Sequence, residues 1–266
     1  MRYEIRELEI GGILDQTIRL FRDHFAFVAM VVCIVLIPIQ VPFGLVTTWA
    51  QPQPLDMTAT EAEALGQAIG QLQFAAVSIF GGFLLMLLNA MTQAAVAYGI
   101  AHRYLGYQVS AGESIRKAWS KALPLLGAAI LYGIGIGFGM LFCIIPGILF
   151  MLMWYVLYPV LIFEDSPVMA AFGRSTRLMK GHKGKAFVLT FLLALIGFGV
   201  NVIVLFLPGV YLSSILSNVV ASFLVGLNSV AATVVYFSAR CRTEQFDLEL
   251  LSQLVEDRGA VEEPVL

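Results

Sequence analysis

The chain alternates between long apolar runs and shorter polar segments that hold almost all of its charge. A helix needs about 20 predominantly apolar residues to cross a bilayer, and about six runs reach or approach that length. The pattern predicts an all-α, polytopic membrane helix bundle, with an integral membrane domain over 1–240 and a cytoplasmic tail over 241–266. The predicted spans are about 25–49, 74–103, 122–143, 147–163, 186–207 and 212–237.

Short breaker motifs indicate how the spans connect. Pro146–Gly147 and Pro208–Gly209 interrupt apolar runs and predict tight turns, so that spans three and four, and five and six, form hairpins. The first hairpin instead carries the polar insert Ala50–Gln73, in which Thr60–Leu72 has the pattern of a short amphipathic helix. Prolines predict kinks in the first and fourth spans, at Pro38, Pro42 and Pro159.

A charged segment with helical periodicity precedes each hairpin. Gly12–Phe25, Ser110–Leu123 and Ser166–Gly181 are too short and too charged to cross a bilayer, and are typical of helices that lie in the headgroup layer. The third has Asp165 or Ser166 as its predicted N-cap and Gly181 as its stop. Three copies of interface helix plus hairpin predict a pseudo-threefold repeat. The predicted apolar stripes contain Ile13, Leu14, Ile18, Phe21 and Phe25, then Ile115, Ala118, Trp119 and Leu123, then Val168, Ala171, Phe172, Ser175 and Leu178.

The distribution of charge predicts how the protein is oriented in the membrane. All 16 Lys and Arg residues fall in alternate polar segments, whereas Ala50–Gln73 carries only acids. Lys and Arg near span ends are retained in the cytoplasm, so both termini are predicted to be cytoplasmic. Clustered cations beside the membrane favour anionic lipid headgroups as partners. The absence of a long basic run or an aromatic-rich platform argues against nucleic-acid binding.

Ionisable residues are missing from the interiors of the predicted spans, and Glu164 lies at a span end. Glu164 is expected to pair with Arg174 or Arg177 of the following helix; a binding or relay role is the alternative.

Uncharged amides do occur within the spans: the candidate site residues Asn89, Gln93 and Asn201, and also Gln40, Asn218 and Asn228. They are expected to bond between helices, with a polar substrate cavity as the alternative.

The remaining motifs indicate packing rather than chemistry. The alternating glycines Gly133, Gly135, Gly137 and Gly139 lie inside a predicted span, where small residues at i and i+4 let helices approach closely. The three cysteines and three histidines lack metal-ligand spacing, and no nucleophile elbow is present. No catalytic residue, metal site or cofactor is predicted, and we do not expect an enzyme.

The segment from Tyr158 to Gly181 resembles a pattern in prokaryotic polytopic membrane proteins. In that pattern a span ends in a proline and an acid, and a small-residue helix follows through Arg-Ser to Lys-Gly. The opening Ile10–Phe25 and the region Tyr236–Leu250 look similar to the same group, the membrane domain of glycerophosphoryl diester phosphodiesterases. The resemblance implies a lipid-adjacent module of the prokaryotic inner membrane. The soluble phosphodiesterase barrel and its metal-binding acids are missing here, so that activity is not implied.

These observations leave two functions open. The first is a non-enzymatic membrane module that organises lipid or protein partners, including another copy of itself. The second is a transporter or permease for a small neutral or lipid-like molecule. An enzyme acting on membrane lipids ranks third.

Overall fold

The computed structural model describes residues 8–52, 60–104 and 107–244, and these residues form an all-α bundle without a strand. Short loops or single-residue breaks separate most of the helices. The helices are α1 (Ile10–Asp23), α2 (Phe25–Val35), α3 (Ile37–Trp49), α4 (Glu61–Tyr104), α5 (Ala111–Ser120), α6 (Ala122–Phe142), α7 (Ile144–Met153), α8 (Leu157–Phe163), α9 (Val168–Leu178), α10 (Lys183–Leu205) and α11 (Val210–Glu244).

Five helical segments of the described chain are long and apolar enough to cross a membrane, and the bent pair α2–α3 brings the number to six. Each predicted span falls on one of these segments. This part of the chain is therefore consistent with a multi-pass membrane protein. The rest of the predicted tail, beyond the end of α11, lies outside the described residues.

Two of the three predicted kinks are present, just before Pro38 and Pro159, whereas Pro42 lies inside α3, which continues to Trp49 without a break. Helices α2 and α3 meet at Leu36 with a bend of 52°, two residues before Pro38. The fourth span breaks between α7 and α8, and Pro159 lies in the first turn of α8. A proline ring clashes with the carbonyl four residues earlier and offers no N–H to it. Each span therefore restarts as a new helix close to the proline.

The helices form three repeats that dock on one another in a ring. The repeats are α1 with α2–α4, α5 with α6–α8, and α9 with α10–α11. Each short helix packs on the hairpin of the preceding repeat: α5 on α4 and α2, α9 on α8 and α6, and α1 on α11 and α10. The second spans α4, α8 and α11 also pack on one another at the centre. This contact pattern has the predicted pseudo-threefold arrangement.

In two of the three short helices the predicted stripe is only partly buried: Ile13 of α1 and Ala118 of α5 are buried as predicted, but other members are exposed. In α1 the buried residues include Gln16 and Thr17, whereas Ile18 is 55% exposed. In α5, Trp119 is 65% exposed and Leu123, just beyond it, is 82% exposed. These two helices dock on a neighbouring hairpin through buried apolar residues, such as Ile13 and Leu20 of α1, as well as small and polar ones. Ile18 and Trp119 project sideways, where lipid would cover them.

Helix α9 buries four residues of the predicted stripe: Ala171, Phe172, Ser175 and Leu178. Its predicted start is wrong by one position, because Pro167 occupies the N-cap position and no side-chain cap bond is formed. Asp165 forms an ion pair with Lys121 instead of capping α9. Gly181 has a φ of 91°, which favours glycine and ends this segment as predicted.

Two predicted turns or breaks are corrected. Thr60–Leu72 is not a separate helix, since α4 runs without interruption from Glu61 to Tyr104. The turn of the second hairpin lies at Cys143, whose backbone is extended, and Pro146–Gly147 falls in the first turn of α7. Proline is tolerated there because the first N–H groups of a helix have no partner within it. The turn at Pro208–Gly209 is present, between α10 and α11.

Candidate functional site: the basic end of the bundle

All described Lys and Arg residues lie at one end of the bundle, where the three short helices dock; we call this the basic end. The first polar contact there centres on Glu164, which caps the C-terminus of α8. Arg174 of α9 donates from Nε to both carboxylate oxygens, at 3.1 and 2.8 Å. Tyr236 of α11 donates its hydroxyl to Oε1 at 3.0 Å. Glu164 thus joins the second hairpin, the third short helix and the central helix α11.

The pair is mostly shielded from water. The side chains of Arg174 and Glu164 are 19% and 22% exposed. Arg240 extends the network, because its Nη1 lies 3.4 Å from the Tyr236 hydroxyl and its guanidinium lies over the Tyr236 ring. Of the two predicted cations, Arg174 makes the contact and Arg177 is exposed.

A second ion pair, which the sequence did not predict, fixes the linker between α8 and α9 to the start of α6. Lys121 is the N-cap residue of α6 and donates from Nζ to the carbonyl oxygens of Leu161, at 2.8 Å, and Ile162, at 3.3 Å. It also pairs with Asp165, whose backbone has a φ of 45°. A cation at the last carbonyls of a helix is favourable in the field of the helix dipole. The Lys121 ammonium holds the pKa of Asp165 below its usual range. The strained, left-handed Asp165 is a signal that sequence alone does not carry.

Aromatic rings close the centre of the bundle at this end. Tyr104 of α4 stacks on Phe237 of α11 with centroids 5.3 Å apart. Phe163 of α8 lies 5.6 Å from Tyr236 and 6.1 Å from Phe237. The three central helices thus contribute rings to one layer, and this layer fills the pseudo-threefold axis between them.

The three candidate amides do not meet at one point. Asn89 and Asn201 donate to carbonyls of their own helices, at Leu85 and Gly197. The backbone carbonyl of Gln93 accepts from Ser229 at 2.7 Å. Helix α10, which carries Asn201, packs mainly on α11, α1 and α7 rather than on α4.

Among the span amides, Gln40 and Asn228 do make the expected bonds between helices. Gln40 accepts from Ser222 at 3.2 Å, and Asn228 accepts from Tyr155 at 3.1 Å. Which amide faces a neighbour depends on helix rotation, which no local sequence pattern records here.

The glycines of α6 lie on two faces of the helix, and only Gly135 and Gly139 face α7 closely. A Cβ at Gly139 would lie 2.7 Å from the Gly147 Cα, and one at Gly135 would lie 2.5 Å from Trp154. These two glycines allow α6 and α7 to approach closely, as predicted. A Cβ at Gly133 would make only ordinary contact with Met86, and one at Gly137 would meet no described heavy atom within 4 Å. The packing prediction is therefore wrong for Gly137.

A cavity of about 550 Å³ opens at the basic end between α4 and α5. Arg116 and Lys117 line it with Tyr98, Ser120 and the linker residues Gln108 and Val109. Glu113 also lines it, but its carboxylate accepts from the Ser110 backbone and hydroxyl in a capping box. These hydrogen bonds, the backbone one first, hold the pKa of Glu113 below its usual range. The cavity therefore combines two cations with an acid engaged by its own helix.

Among the described residues, no three His, Cys, Asp or Glu side chains lie close enough to hold a metal ion. No protein-family profile, curated protein sequence or solved structure matches this chain. The resemblance to the membrane domain of glycerophosphoryl diester phosphodiesterases therefore stays a prediction.

Proposed function

We propose that this protein is a non-enzymatic, multi-pass module of the prokaryotic inner membrane that organises lipid or protein partners at its cytoplasmic surface. Both termini lie in the cytoplasm in this proposal. The observation that carries it is the position of the described cations, all at the end of the bundle where three short helices dock. Lys and Arg at span ends are retained on the cytoplasmic side.

The cavity between α4 and α5 is the proposed contact for an anionic lipid headgroup. Arg116 and Lys117 face it, and the exposed Trp119 lies on the same short helix. Aromatic and basic side chains on an interfacial helix are typical of membrane-surface binding. Each cation near an anionic surface contributes about 1 kcal/mol. Two such cations favour anionic over zwitterionic lipid by about 2 kcal/mol, or roughly thirtyfold in affinity.

The transporter alternative has less support from the same contacts. Asn89 and Asn201 each donate to a carbonyl of their own helix, and aromatic rings from the central helices pack together at the basic end. A transport path for a polar molecule needs polar groups that converge on a cavity.

Lipid retention tests the proposal. The protein is extracted with its surrounding lipid into polymer-bounded discs, and the bound lipids are measured by mass spectrometry. We expect anionic lipid to be enriched over the bulk membrane, and the double variant Arg116→Gln/Lys117→Gln to lose most of that enrichment.

The matched control is Arg177→Gln/Lys180→Gln, which removes the same charge from exposed positions on or just beyond α9. Equal loss in both variants would refute a headgroup site in the cavity and leave only general surface charge. Uptake of a neutral solute into proteoliposomes by the parent protein would favour the transporter instead.

A further inference from the structure

Helix α4 is much longer than a bilayer requires. Its 44 residues extend over about 66 Å at 1.5 Å per residue, whereas a bilayer with its headgroups is about 40–45 Å thick. Its last residue, Tyr104, is buried in the aromatic layer at the basic end. The excess of about 20 Å therefore projects from the opposite end, as the first part of α4.

The position of α3 beside α4 also shows that the first part of α4 projects from the bundle. Phe43 of α3 packs on Gly81 of α4, and α3 ends at Trp49, about 9 Å further out. From Gly81, α4 continues outward to Glu61, about 30 Å away. The first four turns of α4 thus rise above the end of α3.

The projecting segment carries an apolar stripe that nothing in the described chain covers. Leu65, Ile69 and Leu72 are 63%, 47% and 71% exposed. Ala76 and Ile79 continue the stripe toward the bundle and are also exposed. The upper part of this stripe lies beyond the bilayer by the lengths given above, where exposed leucine and isoleucine side chains are unfavourable in water.

The spacing of the stripe is that of a coiled-coil seam. Its steps alternate between four and three residues, which places Ile69 and Ala76 at a positions, and Leu65, Leu72 and Ile79 at d positions. Ile69 at a between Leu65 and Leu72 at d is the combination that favours two strands in a parallel coil. Gly81, which packs on α3, falls at an f position, so the seam faces away from the protein's own bundle.

The flanking positions are free of charge conflict over most of this length. The e positions hold Gly66 and Gln73, and the g positions after Glu61 hold Ala68 and Ala75. A Cβ added at Gly66 would meet nothing within 4 Å among the described atoms. Small, uncharged flanks allow a second helix to approach without like-charge repulsion.

We propose that the projecting part of α4 pairs with the same segment of a second copy of this chain, in a parallel coiled coil outside the bundle. Two copies inserted in the same direction in one membrane necessarily present their α4 helices in parallel, the orientation in which Ile69 at a and leucine at d favour two strands. Residues 65 to 79 form the contact. It ends before Met86, which packs within its own bundle near Gly133 of α6.

Disulfide cross-linking in native membranes tests the seam, with Cys33, Cys143 and Cys241 first replaced by serine. We expect oxidation to link Ile69→Cys to its own copy nearly completely, because equivalent a positions face each other in a parallel coil. Glu63→Cys is the matched control, since it is exposed on the same segment but at a b position. Its cross-linking is expected to be at least about tenfold weaker.

The mass of the full-length protein in lipid discs supplies the second measurement. The parent is expected to be a dimer, and Ile69→Asp to be a monomer with an unchanged melting temperature, because this position lies outside the bundle. Glu63→Lys is expected to stay dimeric. A monomeric parent, equal cross-linking at both positions, or a dimer that survives Ile69→Asp would each overturn the proposal.

Discussion

Replacing Glu164 by alanine tests the contact that joins three parts of the bundle. The change removes the only acceptor that Arg174 and Tyr236 share in the described contacts. Removing one partner of a buried ion pair costs roughly 3–5 kcal/mol, whereas an exposed pair contributes about 0.2–1 kcal/mol. With side chains 19% and 22% exposed, the pair lies between these cases. We expect Glu164→Ala to lower the free energy of unfolding by about 1–3 kcal/mol.

The assay is thermal unfolding of the purified protein in mild detergent. The measured quantity is the fraction of protein that remains monodisperse after heating. Glu113→Ala is the control, because it also removes one carboxylate at a short helix, but from an exposed capping box instead of a half-buried ion pair. We expect the control to lose less stability than Glu164→Ala. Glu164→Gln is expected to fall between the parent and Glu164→Ala, since its amide oxygen still accepts a hydrogen bond.

A double-mutant cycle with Arg174→Ala isolates the pair itself. We expect the two single changes to be non-additive by at least about 1 kcal/mol, because each removes the same ion pair. Additivity within about 0.5 kcal/mol would refute the structural role assigned to the pair. A Glu164→Ala protein that unfolds like the parent but loses its bound lipid would instead make Glu164 a binding residue.

Three further outcomes are expected. Engineered cysteines in Pro52–Gln71 should react with an impermeant thiol reagent added outside the cell and those in Ser110–Lys121 should not; the reverse result would contradict the proposed orientation. Gly139→Ala should destabilise the bundle by about 1–3 kcal/mol through overpacking, whereas Gly137→Ala should stay within about 0.5 kcal/mol of the parent, as thermal unfolding would report. Because Lys121 lowers the pKa of Asp165, its pairing stabilises the fold above about pH 4 and is lost as pH falls through the folded-state pKa. Melting temperatures of the parent and Asp165→Asn should therefore differ at pH 7 and converge in acid, and a constant difference would exclude this linkage.

Hydropathy and charge predicted the coarse fold well, because both are properties of single segments. A run of about 20 apolar residues is long enough to span whatever its neighbours are, so all of the predicted spans fall on helices. The kinks near Pro38 and Pro159 follow from local sterics, so they could also be predicted from the sequence.

Helix rotation and docking could not be predicted in the same way. The apolar stripe of α1 suggested that Ile18 faces the bundle, yet Gln16 is buried and donates to the Tyr104 hydroxyl at 2.6 Å. An amphipathic helix between lipid and protein has two surfaces that both accept apolar side chains, and only the partner helix decides between them. The ion pair of Lys121 with Asp165 joins the start of α6 to the linker after α8 and depends on a left-handed backbone at Asp165. Neither condition leaves a periodic signal in the sequence.

The docking of α1 on the last hairpin has a consequence for how the protein is made. The Leu8 amide donates to the Ser238 hydroxyl at 3.0 Å across 230 positions of sequence, and Lys185 donates to the Leu8 carbonyl at 2.7 Å. At about 5–20 residues per second, the ribosome exposes α1 roughly 10–50 s before it completes the surface that α1 needs. Of the described helices, the first to be synthesised thus waits longest for its partner, and a nascent chain that stops before α11 leaves α1 without its docking surface.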